Sequence, residues 1–228
     1  MRENLSLESI EQAVIECRKC PRLVAWREEV ATIKRRAYRD QDYWGKPVAG
    51  FGDPNARLLV YGLAPGAHGS NRTGRMFTGD ASGDFLYPAL HRFGFASQPT
   101  AIDRFDLMTL KDIYISAAAR CAPPGNKPTS QEIQNCLPWT SLELGQLRAL
   151  QGIVLLGRIA FDSLLSLPRF QTIKQRKLQF GHAAFYELGE GLPWLLCSYH
   201  PSRQNTQTGR LTLEMFDAIW QKARDLLV

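Results

Sequence analysis

A chain of 228 residues, 44% hydrophobic and 22% charged, has the composition of a globular domain with a sizeable core. No apolar run approaches the roughly 20 residues that span a bilayer, and the polar start MRENLSLESIEQ lacks the apolar stretch of a secretory signal, so a cytoplasmic protein with no membrane partner is expected. The net charge of +6 favours a polyanionic partner without naming one. Basic residues gather at Lys34, Arg35, Arg36 and Arg39 and again at Arg169, Lys174, Arg176 and Lys177.

Residues 6–16 place Leu7, Ile10 and Val14 along one side and predict a short helix capped by Ser6 or Ser9, leading to Cys17 and Cys20. Pro21 opens a second helix expected to reach about Arg39, with an apolar face of Leu23, Trp26, Val30 and Ile33. Residues 40–56 hold three glycines and two prolines among aromatics, an ordered loop. The apolar run Leu58-Leu59-Val60-Tyr61 predicts a buried strand that breaks at Gly62 into a polar, glycine-studded loop, after which Ser82 is the expected cap of a helix over 83–93. DIYISAAA (112–119) is a second strand, followed by the rigid turn APPGNKPT with Asn126 at its tip. Thr129 or Ser130 then caps a helix that carries Cys136 inward. GIVLLG (152–157) is a third strand that enters a helix over 158–166. Residues 168–192 are basic and irregular with a hairpin expected at 178–188, and PWLLCSY (193–199) is a fourth strand. A helix over 212–226 closes the chain with an apolar stripe.

Short, uniformly apolar strands alternating with helices specify a single α/β domain with a parallel sheet covered on both faces. The loops 62–80, 120–130 and 200–210 all leave the carboxyl ends of strands and should converge on one rim, where open α/β sheets bind ligands. Five cysteines, an odd number, argue against a disulfide framework. Cys17-x-x-Cys20 reads as a redox pair or half of a metal site, and Cys121 with Cys136 can supply the other half. An all-sulfur donor set suits zinc or an iron–sulfur cluster, and spacing does not choose between them. Cys197 reads as a core residue of the fourth strand.

The stretches GLAPGAHGSNRTGRMFTGDASGDFLYPAL (62–90), RCAPPGNKPT (120–129) and YHPSRQNTQTGRLT (199–212), with the four cysteines, resemble the family 5 uracil-DNA glycosylases of the superfamily's iron–sulfur branch. The resemblance runs from about Cys17 to the last helix. It implies a three-layer α/β/α sandwich around a four-stranded parallel sheet. It also implies a structural [4Fe–4S] cluster on Cys17, Cys20, Cys121 and Cys136 that braces the N-terminal region 1–56. The activity it implies is monofunctional hydrolysis of the N-glycosidic bond of deaminated bases in single- or double-stranded DNA: uracil, and also hypoxanthine and xanthine, by a monomer.

On this resemblance Phe77 stacks on a base extruded from the duplex, and His200 stabilises charge on the departing base. The loop holding Gly62, Ala64 and Gly66 can bring backbone N–H groups to a base carbonyl or a phosphate, with His68, Asn71 and Arg72 shaping or closing the pocket, Arg72 on the DNA side. Ser202, Arg203, Gln204, Asn205 and Arg210 belong to a loop expected to wedge into the minor groove and touch phosphates. Leu63 and Ala64 stand where many relatives carry a water-positioning side chain, and Ala117 where some carry a base-reading asparagine. Asp80 is therefore the expected water-positioning group, with Asp84 as the alternative nearer the helix, and Asn126 is expected to contact either the base or the water. Loss of the discriminating amide would relax base specificity. Lysine is absent from 62–80 and 199–212, which favours water over a Schiff base as nucleophile. Two other readings remain at this level: a non-catalytic, cluster-containing nucleic-acid-binding protein, and a zinc-dependent hydrolase.

Overall fold

The structure, a computed structural model, describes residues 5–189 and 191–227, without the side chains of residues 174–176. The first four residues of the expected domain, and Lys174 and Arg176 of the second basic group, lie outside that description.

Helix α1 (Leu7–Ile15) is capped by the Ser6 hydroxyl, which accepts from Ser9 N–H, and it buries Ile10, Val14 and Ile15. Helix α2 (Pro21–Ile33) starts with proline at its first position, where the missing N–H costs nothing. It ends six residues earlier than expected, because Lys34 takes φ +57° and turns the chain out of the helix. Ile33, assigned to the apolar face, is exposed, while Arg27 is buried on that face with Leu23 and Val30.

The sheet follows. Strand β1 (Phe51–Gly52) leads to β2 (Leu58–Gly62), the one-turn α3 (Ser70–Thr73) and α4 (Ala81–Arg92). Then come β3 (Ile113–Ala117), α5 (Ser130–Gln146), β4 (Gly152–Leu156), α6 (Arg158–Leu165), β5 (Phe185–Tyr186), β6 (Trp194–Ser198), α7 (Arg203–Gln207) and α8 (Leu213–Asp225). Strand order is β1-β3-β2-β4-β6-β5. The four central strands are parallel as expected, but the sheet has six, because β1 and β5 add antiparallel edges to β3 and β6. The expected hairpin at 178–188 is replaced by this pairing of β5 with β6.

Alternation along each strand feeds two cores. Val60, Ile115, Val154 and Leu196 meet α4 and α8 through Leu86, Leu90, Phe216 and Trp220. Leu59, Tyr61, Ile153 and Leu195 meet α5 and α6 through Leu137, Leu144, Phe161 and Leu164, and Cys197 lies in this second core. The three-layer α/β/α sandwich is thus realised. From β2 the chain crosses to β3 on one side, and from there to β4 on the other. The switch point, and the crevice that accompanies it, lies between the carboxyl ends of β2 and β4.

A buried ion pair fastens the segment after α4 to the loop after β2. Arg75 donates to both carboxylate oxygens of Asp106 (2.7 and 2.6 Å), and that carboxylate also accepts from Ile102 and Met108 N–H (2.7 and 3.0 Å). Burial by itself would raise the Asp106 pKa; these donors outweigh it and hold it at about 2. Asp106→Ala should cost about 3–5 kcal/mol by stranding the Arg75 charge, read as a drop in Tm by calorimetry; a loss under about 0.5 kcal/mol refutes the role. The stability Asp106 contributes is complete above its unfolded pKa of about 3.9 and disappears as pH falls toward 2.

Candidate active site

The loop from Gly62 to Asp80 occupies the switch point. Ala118 and Ala119 N–H groups donate to the carbonyls of Gly62 and Leu63 (3.0 and 2.9 Å), so the loop leaves along β3. Gly62 pairs in register with Ala117, and small residues form the floor. Phe77 is buried with φ +53°, a left-handed conformation that a bulky residue adopts only under constraint. The constraint is visible. Tyr87 Oη donates to Met76 O (2.8 Å), Thr73 Oγ1 to Thr78 O (3.0 Å), and Arg72 Nη2 to Gly79 O (3.0 Å). The Phe77 ring lies so close over Gly62 that a Cβ there would be 2.6 Å from Cζ, and a Cβ on Gly83 would be 1.7 Å from the Phe77 carbonyl.

Asp80, rather than Ser82, caps α4. Its Oδ1 accepts from Ser82 and Gly83 N–H (3.0 and 3.3 Å), the favourable place for a carboxylate at a helix N-terminus. Oδ2 lies over Gly66 and Gly69, where Cβ atoms would be 2.7 and 2.1 Å from it, and it accepts no hydrogen bond among the described residues. Burial pushes the Asp80 pKa up, against the pull of the two N–H groups. One oxygen is therefore clamped and the other is available, in an environment that strengthens its basicity.

His200 follows β6 and approaches from the opposite side. Its ring stacks on Phe77, with centroids 6.0 Å apart and planes inclined by 29°. Asn205 Nδ2 donates to the His200 carbonyl (2.8 Å), and Gly157, at φ +99°, would bring a Cβ to 3.3 Å from His200 Cβ. Burial alone takes the imidazole pKa down to about 4, so the ring is neutral at physiological pH.

The other sequence-predicted residues divide. Asn126 stands exposed at φ +56° on the turn after β3, and its side chain makes no hydrogen bond among the described residues. Asn71 is fully buried and donates to the Arg27 carbonyl (3.2 Å), away from the solvent face of the loop. Arg72, assigned to DNA, is held within the protein. Its guanidinium donates to His68 O, Gln41 Oε1 and Gly79 O and lies 4.0 Å from the Tyr38 ring centroid. His68 Nδ1 meets Tyr43 Oη at 3.0 Å. Ala64 and Gly66 are part-exposed in the loop. Ser202 caps the short α7, so residues 203–207 of the loop expected to wedge are helical. Arg203, Gln204 and Arg210 are exposed, Arg210 stacking over Tyr199 at 4.7 Å, while Asn205 positions His200. Sequence reading placed Gly69 in the candidate loop without a role and gave none to Gly83 or Gly157; a glycine at a strand-to-helix junction is the signal that marks Gly157.

The four cysteines Cys17, Cys20, Cys121 and Cys136 line one narrow cavity between the α1–α2 junction, the segment after β3 and α5. Among the described residues they are not drawn together to metal-ligand spacing. The donor set fits a soft, anionic group all the same. Arg27 Nη1 donates to Cys121 Sγ (3.0 Å) and Asn135 Nδ2 to Cys20 Sγ (3.4 Å). Arg27 Nε and Arg120 Nε and Nη1 are buried without hydrogen-bond partners among the described residues, which is cationic hydrogen-bonding capacity that an anionic group could use.

Residues 49–224 match the model of the uracil DNA glycosylase superfamily. The chain is 54% identical over 219 residues to the type-5 uracil-DNA glycosylase of Thermus thermophilus, covering 96% of this chain and 97% of that protein. It is 52% identical to that of Mycobacterium bovis (92% and 78% covered) and 40% identical to that of Pyrobaculum aerophilum (92% and 88%).

An NMR titration of His200 should show ring resonances in the neutral form from pH 8 down to about 5, with a midpoint near 4; a midpoint near the ordinary 6.5 would refute the desolvated imidazole.

Proposed function

The chain belongs to the uracil-DNA glycosylase superfamily, in its type-5 branch, and on that premise we propose that it hydrolyses the N-glycosidic bond of uracil in DNA, and of hypoxanthine and xanthine as well. The observation that supports this reading is the Phe77–His200 ring contact, with Phe77 and Asp80 each seated against glycine backbone within one loop. An extruded base stacks on Phe77 in place of its lost neighbours. His200, neutral, donates a ring N–H to a carbonyl oxygen of the base as negative charge collects there. Asp80 Oδ2 orients the attacking water and faces the positive charge developing on the sugar.

The floor of Gly62 and Ala117 offers no side-chain amide to reject a purine, which supports breadth of substrate. With lysine absent from both loops, the product is an abasic site with the strand intact. Arg203, Gln204 and Arg210 contact DNA phosphates beside the crevice. No helix among the described residues is long and apolar enough to cross a membrane; we take the protein to act intracellularly as a monomer. Cys17, Cys20, Cys121 and Cys136 hold a [4Fe–4S] cluster, which supplies a covalent tie between the N-terminal helices and the sheet.

Asp80→Asn should reduce uracil release by about 10²–10⁴-fold with DNA binding retained, and unchanged release removes Asp80 from the mechanism. In the native protein, activity should fall on the acid side with a midpoint above the ordinary carboxylate value of 3.8, since the base must be ionised and burial raises its pKa. A release assay on duplexes carrying uracil, hypoxanthine, xanthine or thymine tests breadth; release of uracil alone overturns it.

A further inference from the structure

We propose that Arg27 couples the cysteine site to the base pocket, as counter-charge to the anionic group held by the cysteines and as the anchor of α3. The inference rests on the reading of the four cysteines as a cluster site.

Arg27 lies on α2, ten residues after Cys17, with 2% of its surface exposed. Its Nη1 donates to Cys121 Sγ (3.0 Å) and to the Cys17 carbonyl (3.3 Å). The nearest carboxylate, Glu28, stands 3.8 Å from Nη2, at the surface, and is paired with Arg18 at 2.5 Å. Nε has no partner among the described residues. A buried guanidinium without a dedicated carboxylate is costly unless another anion balances it. Four thiolates around a [4Fe–4S]²⁺ core carry a net charge near −2, and donors aimed at the sulfurs stabilise that charge and raise the reduction potential.

The second half of the coupling is the Arg27 backbone. Its carbonyl accepts from Asn71 Nδ2 (3.2 Å), and Asn71 is fully buried at the centre of α3. The same short helix sends Arg72 to Gly79 O and Thr73 to Thr78 O, the two carbonyls that follow Phe77. A displacement of α2 at Arg27 therefore passes through one hydrogen bond to the segment that holds the Phe77 ring and precedes Asp80. Asn71 acts through this contact, as a positioning residue.

The test uses full-length protein purified with its iron. Wild type is first assayed for iron and sulfide: absence of both overturns the cluster reading, and the present proposal with it. With about four irons per chain, Arg27→Met should shift the cluster's reduction potential to more negative values. It should also speed iron loss to a chelator by about tenfold or more, and raise hydrogen exchange at the amides of residues 70–79. Arg27→Lys, which keeps the charge, should restore the potential in large part. Asn71→Ala should raise exchange over 70–79 while leaving the potential and the chelation rate at wild-type values. A loaded Arg27→Met protein with wild-type potential and chelation rate overturns the counter-charge role, and unaltered exchange in Asn71→Ala overturns the coupling. If Arg27→Met does not fold, Arg27→Gln, which keeps a hydrogen-bond donor and removes the charge, decides: a more negative potential with faster iron loss supports the counter-charge role, and wild-type values overturn it.

Discussion

A methyl group on Gly62, Gly69 or Gly83 would sit 2.6, 2.1 or 1.7 Å from Phe77 Cζ, Asp80 Oδ2 or Phe77 O, and the active site depends on those methyl groups being absent. Real Cβ atoms do not approach other atoms so closely, so each contact exists only because the backbone there carries no side chain. The Phe77 ring and the Asp80 carboxylate are thereby fixed to the sheet and to one helix N-terminus. A rigid seat matters because glycosidic cleavage asks for placed dipoles more than for covalent chemistry, and dipoles help in proportion to how well they are held. The left-handed Phe77 is the local cost of that placement, held by three side-chain hydrogen bonds to the neighbouring carbonyls.

Charge is distributed to the same end. Burial lowers the His200 imidazole pKa to about 4 and raises that of the Asp80 carboxyl, so desolvation favours the neutral form of each group. Arg75 with Asp106, and Arg120 with Glu143, are ion pairs that tie loop to loop and strand end to helix. Arg27 differs, since its partners are sulfur and backbone carbonyl.

Much of this was legible in the sequence, for physical reasons that differ from place to place. The four parallel strands and both sets of covering helices follow from uniformly apolar runs alternating with amphipathic ones, and Thr129 with Glu132 forms the capping box its spacing announces. The edge strands β1 and β5 escaped because two residues are too short to carry a period. The end of α2 escaped because Lys34 is not a residue type that marks a left-handed cap. Asp80 was recognised for chemistry and not as a cap, because the choice between Asp80 and Ser82 depends on where the loop delivers the backbone. Arg27 sits at a spacing the helix assigns to the buried face, yet an arginine is expected outside until something inside is seen to receive it. Arg72 and Asn71 were read as pocket or DNA residues from their loop, whereas their partners at residues 27, 38 and 41 are distant in sequence.

By itself the sequence determined the layer order of the fold, the rim on which the loops gather, the family, and the residue types available for chemistry, because hydrophobic period and motif composition are local properties of the chain. Tertiary structure alone decided which of those residues face one another: Phe77 against His200, Asp80 over Gly66 and Gly69, Asn71 on Arg27 instead of in the crevice. Those pairings join segments about ten to more than a hundred residues apart, and the seat of Asp80 also needs glycines whose missing Cβ leaves room for it, which no local pattern of side chains records.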